Sequence, residues 1–207
     1  MTIALNGFMG CGKSSVGKAL AALLSCPLTD LDTFIEEREG RGIPEIFSSE
    51  GEKAFRKIEE RALREILLQP EAGSPHGAAQ NQGSGNQAGR DFQWQDYGRR
   101  ILSLGGGTVT TAECALLVKR HTFCIYLRAG IDTLVHNLEN DSASRPMLNC
   151  GPESLRRRIE ELMAKRSAIY ENTASLVIDI EDFLSVETDG IDFTALARHI
   201  AGCVEGL

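Results

Sequence analysis

Apolar residues alternate between two patterns along this chain. Short, mostly apolar runs at 3–5, 27–31, 100–104, 122–127 and 176–180 read as five strands. Between them, apolar residues recur at helical spacing. Val16, Ala19, Leu20, Leu23 and Leu24 form one stripe, and Phe55, Ile58, Ala62, Leu63 and Ile66 form another within 51–67. Further helices are predicted over 111–121, 132–140, 153–170 and 193–204, with a shorter helical turn at 43–47. Pro27 is expected to close the first helix, and Gly40 and Gly42 punctuate the connection before 43. Strands alternating with helices predict an α/β fold with a parallel, helix-covered sheet.

Two stretches break the alternation. Residues 69–99 are rich in Gly, Gln and Asn and nearly lack aliphatic side chains, so they are expected to form a mobile insertion. Residues 141–151 are short, polar, interrupted by Pro146, and carry Arg145. Such a segment suits a lid that brings an arginine to developing charge, though an ordinary surface loop has the same character. At 207 residues, a single domain is expected, with core 1–68 and 100–180, the insertion 69–99, the lid 141–151 and a C-terminal helix at 192–204.

The first strand runs into Gly7-Phe8-Met9-Gly10-Cys11-Gly12-Lys13-Ser14, which is G-x-x-x-x-G-K-S. Glycines here let backbone N–H groups close around phosphate oxygens, and the helix that follows points its positive end at them. Residues Gly10, Cys11, Gly12, Lys13, Ser14 and Ser15 are therefore expected to hold a nucleoside triphosphate. Lys13 would reach the outer phosphates, and the Ser14 hydroxyl would hold Mg²⁺. Cys11 occupies a variable position of the pattern.

Asp30 and Asp32 close the second strand, at the sheet edge where open α/β folds bind ligands. Asp30 could support the metal through water. Asp32 could accept a hydrogen bond from a substrate hydroxyl, or equally cap a helix beginning at Thr33. Arg56 has Glu52, Glu59 and Glu60 at i−4, i+3 and i+4, so local ion pairing accounts for it without a ligand. Gly105, Gly106 and Gly107 end another strand at the same edge, where they expose backbone to a ligand or simply turn the chain. Arg166 differs from the other arginines of its helix. Its neighbours at i±3 and i±4 are Leu162, Met163, Ile169 and Tyr170, so its charge has no partner there.

Charge and cysteine content narrow the setting. A formal net charge of −7 argues against general attraction to nucleic acid or anionic membrane. No apolar run approaches the roughly 20 residues that a membrane helix needs. The six cysteines show no C-x-x-C or metal-like spacing and read as reduced thiols, which places the protein in the cytoplasm.

In order along the chain, the motifs GFMGCGKSS, Asp30-Leu31-Asp32, GEKAFRKIE, LGGGTV, Arg145-Pro146-Met147 and KRSAIYENTA resemble those of shikimate kinases. The resemblance covers roughly residues 1 to 180, apart from the insertion. It implies a P-loop kinase with sheet order 2-3-1-4-5 that uses ATP and Mg²⁺ to phosphorylate the 3-hydroxyl of shikimate in chorismate biosynthesis. It further implies that Lys13, Asp32 and Arg145 are catalytic and that Ser14 and Asp30 serve the metal. Asp32, Arg56, Gly105, Gly106, Gly107 and Arg166 would bind shikimate, the two arginines clamping its carboxylate. A monomer with small-molecule partners only is expected. One departure is Asn137, which stands where the family often carries an arginine against adenine. A gluconate-kinase-like enzyme and a non-catalytic nucleotide-binding module remain open readings.

Overall fold

The computed structural model describes residues 1–68, 99–139, 152–185 and 190–205. Strand β1 (Thr2–Asn6) lies at the centre of a five-stranded sheet, between β3 (Arg100–Ser103) and β4 (Phe123–Arg128). Strand β2 (Leu28–Asp30) lies outside β3 and β5 (Leu176–Asp179) outside β4, so the order is β2-β3-β1-β4-β5. All four pairings are parallel, with Leu5 opposite both Ser103 and Ile125. Every residue of β1 is buried, as a central parallel strand covered on both faces requires.

Helix α1 (Lys13–Leu24) follows the glycine-rich loop, and α2 (Leu31–Glu39) follows β2 with no intervening loop. Helix α1 packs against the C-terminal helix and along β1, β2 and β3. Helix α3 spans Ile43–Leu68 but is broken at Gly51, whose φ of 78° and ψ of 172° no helix accommodates. The two helical segments expected on either side of Gly51 are thus end to end. Helix α4 (Ala112–His121) is capped by Thr111, and α5 (Ile131–Leu138) and α6 (Pro152–Thr173) complete the middle of the chain. Helices α4 and α6 pack against β4.

Three local expectations are corrected. Helix α1 ends at Leu24 with Ser25 in the left-handed region (φ 49°), two residues before Pro27. Asp30, not Asp32, caps α2: its Oδ1 accepts from the backbone N–H groups of Asp32 (3.1 Å) and Thr33 (3.4 Å). Ile180 begins a 3₁₀ turn (Ile180–Phe183) rather than ending β5. That turn leads into an antiparallel pair that the apolar pattern did not reveal, β6 (Leu184–Ser185) with β7 (Gly190–Ile191). Helix α7 (Phe193–Val204) then packs on α1. The insertion 69–99, except Arg99, and the lid 141–151 with Arg145 lie outside the described residues.

Candidate active site

The carboxyl ends of β1, β2 and β3 open into a cavity of about 470 Å³. Its floor is the loop between β1 and α1. Gly10 (φ 83°) and Gly12 (φ 88°) are both left-handed, where an L side chain is strained. They are also crowded: a Cβ at Gly10 would meet Leu138 Cγ at 2.8 Å, and one at Gly12 would meet Phe193 Cε1 at 2.5 Å. The loop is therefore packed from behind as well as open in front.

Lys13 is turned back on this loop. Its ammonium donates to the carbonyls of Gly7 and Phe8, both at 2.9 Å, and the side chain is buried beside the cavity. Cys11 is fully buried with its Sγ 3.8 Å from Lys13 Nζ, so only its backbone can serve a ligand. Ser14 and Ser15 are exposed and line the cavity. The Ser14 hydroxyl donates to Asp30 Oδ2 at 2.8 Å. Asp30 thus uses one oxygen to start α2 and offers the other to Ser14, a hydroxyl–carboxylate pair of hard oxygen donors suited to Mg²⁺. Among the described residues no cluster of three or more acidic, His or Cys side chains could hold a metal alone.

The rest of the site is built around the turn that follows β3. A Cβ on Gly105 would stand 2.7 Å from Asp32 Oδ1, 3.0 Å from Thr108 Oγ1 and 3.1 Å from Glu59 Oε1. A Cβ on Gly107 would come within 2.4 Å of Arg56 Nη2, and one on Gly106 within 2.9 Å of the Met9 nitrogen. Only glycines allow two carboxylates, a guanidinium and the phosphate loop to approach the turn this closely. Asp32 and Gly106 line the cavity together with Lys13, Ser14 and Asp30. Arg56 and Arg166 contact the turn itself, at Gly107 and Gly106, and are not part of the cavity lining.

Arg56 makes two of the three ion pairs that its spacing allowed, with Glu59 at 2.7 Å and Glu52 at 3.2 Å, while Glu60 pairs with Arg64. Burial pulls the Arg56 pKa down, but the two carboxylates outweigh it and leave the guanidinium more firmly charged than usual. Glu59 is only 1% exposed and also accepts from the Thr108 hydroxyl at 2.7 Å. It therefore anchors Arg56 to the glycine turn rather than decorating a solvated face. Arg166 is buried (6% exposed), with Nη1 3.3 Å from the Gly106 carbonyl and the guanidinium carbon 5.9 Å from the centroid of the Phe8 ring. Among the described residues no carboxylate pairs with it.

Several residues at the site escaped the sequence reading. Glu59 was visible only as a neighbour of Arg56. Ile191 and Phe193 line the cavity from the C-terminal segment, whose short β6–β7 pair is too brief for a periodic signal. Asn137 also lines it, but its side-chain amide donates to the Gly10 carbonyl at 2.8 Å and so supports the loop.

A parallel sheet that delivers a glycine-rich phosphate loop, a serine–carboxylate pair and a carboxylate-flanked glycine turn to one cavity defines a P-loop phosphotransferase. Comparison with known proteins narrows the class. The family model described as shikimate kinase matches residues 9–72 and 93–190. Shikimate kinase of Dictyoglomus turgidum is 29% identical over 95% of this chain and 96% of its own length. That of Actinobacillus pleuropneumoniae serotype 5b is 32% identical over 99% of this chain and 96% of its own. Among solved structures, shikimate kinase from Acinetobacter baumannii in complex with shikimate superimposes with a TM-score of 0.76 at 26% identity, covering 99% of this chain and 93% of that one. The enzyme from Bacteroides thetaiotaomicron gives 0.75 at 25% identity, covering 99% and 98%. The chain belongs to the shikimate kinase family, and with it to the ATP-dependent kinases.

Proposed function

We propose that this chain transfers the γ-phosphoryl group of ATP to the 3-hydroxyl of shikimate, giving shikimate 3-phosphate and ADP in chorismate biosynthesis. The observation that carries the reading is the convergence of Asp32, the Glu59-anchored Arg56 and Arg166 on one glycine turn, whose Gly106 lines the same cavity as Asp32, Lys13 and Ser14. Two guanidinium groups and a carboxylate suit an acceptor that is both a carboxylic acid and a polyol.

In this mechanism Asp32 accepts a hydrogen bond from the attacking hydroxyl and takes its proton as the new P–O bond forms. Arg56 and Arg166 hold the carboxylate and so orient the ring. Backbone of Gly105, Gly106 and Gly107 lies against it, where a side chain would displace Asp32 or Arg56. Lys13 leaves the Gly7 and Phe8 carbonyls for the β- and γ-phosphates, within a cradle formed by the backbone of residues 10–15. Phosphoryl transfer needs in-line positioning and charge neutralisation more than covalent help, and these groups supply both. Ser14 and Asp30 would hold Mg²⁺, which when bound supplies further positive charge to the phosphates.

No helix among the described residues is long and apolar enough to cross a membrane. Cysteines 11, 26, 114, 124 and 203 are free, in keeping with a reducing compartment. We take the enzyme to work as a cytoplasmic monomer on small molecules alone, which light scattering on the purified protein checks. The deciding experiment is an ADP-release assay with shikimate, quinate and gluconate as acceptors. Turnover with shikimate well above the ATPase background is expected. Shikimate no better than background would end the specific reading, and gluconate as the preferred acceptor would replace it.

A further inference from the structure

The three glycines of the acceptor turn have no side chains to hold them, so the partners of their carbonyls help to fix their peptide planes. Two are fixed from within the turn. The Gly105 carbonyl accepts from the Thr108 N–H at 3.1 Å, and the Gly107 carbonyl accepts from the Thr110 N–H at 3.0 Å and the Thr110 hydroxyl at 2.6 Å. The middle carbonyl is fixed from outside, by helix α6. The Tyr170 hydroxyl donates to Gly106 O at 2.5 Å, and Arg166, one turn earlier, donates to the same oxygen at 3.3 Å.

Tyr170 is well placed to hold that carbonyl. It is fully buried, its ring packs on Tyr126 with centroids 5.3 Å apart, and its own backbone carbonyl accepts from the side-chain amide of Asn6, 3.5 Å away at the end of β1. The residue therefore links the strand that leads into the phosphate loop, through its backbone carbonyl, to the turn that faces the acceptor, through its hydroxyl. A trans peptide is planar, so the direction of the Gly106 carbonyl also sets that of the Gly107 N–H, which points the opposite way.

The two distances bear on Arg166. A carbonyl already engaged at 2.5 Å leaves the guanidinium with a long, weak contact. Arg166, whose side chain also hydrogen-bonds the Tyr170 hydroxyl, is thereby kept near the turn with only a weak hold on the carbonyl. We propose that Tyr170 is a positioning residue for the acceptor site: its hydroxyl fixes the Gly106–Gly107 peptide and keeps the Gly106 carbonyl from capturing Arg166, whose remaining N–H groups stay available to the carboxylate of the acceptor. This rests on the shikimate reading given above. Removing the hydroxyl alone lets the peptide turn and lets Arg166 close onto the vacated carbonyl.

The test is Tyr170→Phe, which deletes one oxygen and leaves the ring packing in place. The wild-type enzyme is assayed first, and absence of shikimate turnover there would refute the substrate reading rather than this one. With an active wild type, Tyr170→Phe should raise KM for shikimate about five- to tenfold, the scale of one hydrogen bond lost at a charged contact. Its kcat should stay within about twofold, and KM for ATP should not move. In an Arg166→Ala background the same substitution should add less than about twofold to KM for shikimate, because the residue through which it acts is gone. An unchanged KM for shikimate, a parallel rise in KM for ATP, or a full additional effect without Arg166 would each overturn the proposal. A lower Tm with unchanged KM values would mean that the hydroxyl is merely structural, and would overturn it too.

Discussion

Glu59 offers the sharpest separation of stability from function in this molecule. It is a buried carboxylate with two partners, Arg56 Nη1 at 2.7 Å and Thr108 Oγ1 at 2.7 Å, and no other described partner competes for it. Glu59→Ala strips both partners at once. Breaking a buried ion pair by removing one member costs about 3–5 kcal/mol, because the other charge is left uncompensated. Here the lower end applies, since Arg56 keeps Glu52 at 3.2 Å and its side chain is 14% exposed. A loss of about 3 kcal/mol corresponds, for a chain of this size, to a Tm lower by roughly 6–12 °C. Glu59→Gln keeps the volume and an acceptor for Thr108 but turns a charge-assisted bond into a neutral one, a loss of about 1–1.5 kcal/mol. Its Tm should fall by only about 2–6 °C. Function should not follow that order of severity: in both variants Arg56 swings towards Glu52 and away from the turn, so KM for shikimate should rise about tenfold or more while KM for ATP stays put. Differential scanning fluorimetry and the ADP-release assay measure the two effects on the same samples. Glu59→Gln with a wild-type KM for shikimate would refute the reasoning, because Arg56 would then hold its place without the carboxylate.

Other changes test separate parts of the site. Asp32→Asn should lower kcat by about 100-fold or more, the scale of a lost general base, while ATP binding measured by calorimetry stays within about twofold; a large loss of ATP affinity would place Asp32 on the donor side. Gly105→Ala would bring a Cβ to 2.7 Å from Asp32 Oδ1 and 3.1 Å from Glu59 Oε1. These are ends of side chains that can give way, so the Tm should fall by only a few degrees while kcat falls at least about tenfold, and an unimpaired kcat would show that Asp32 tolerates displacement. Brief alkylation at pH 8 followed by peptide mapping should label the exposed Cys203 and spare Cys114 and Cys124. Burial pushes those two thiols up to about 11 and about 12, so almost no thiolate is present at that pH, and rapid labelling of either would contradict the buried packing.

The sheet and the donor half of the site could be read from the sequence because their signals are local. A strand, a glycine loop and a helix stand next to one another in the chain, and the left-handed Gly12 is required by the same motif that names the loop. The D-x-D could be placed at the sheet edge but not resolved, since Asp32 could equally meet a substrate hydroxyl or cap a helix beginning at Thr33. The assignment depends on whether the helix starts at 31 or 33, and only the backbone path decides that. It starts at Leu31, which gives the cap to Asp30 and leaves Asp32 among the residues that line the cavity.

The acceptor half was harder because its contacts join distant segments. Glu59 meets Thr108 across 49 residues, and Tyr170 meets Gly106 across 64. In the sequence one is an i+3 ion-pair partner and the other an uncharged i+4 neighbour of Arg166. The two arginines show where the logic of local partners fails. Arg166 attracted notice because its own helix offers it no carboxylate, and it is indeed buried at the turn. Arg56 looked ordinary because it has carboxylates on both sides, yet it stands against Gly107. A long, flexible arginine that must hold a ligand in a fixed orientation benefits from a partner of its own, since a buried carboxylate reduces the freedom lost on binding. Local pairing is therefore no argument against a binding role. What separates Arg56 from the paired arginines on the surface is that its carboxylate, Glu59, is itself buried and tied to the turn, a property that belongs to the packing of α3 on the segment after β3 and to no stretch of sequence alone.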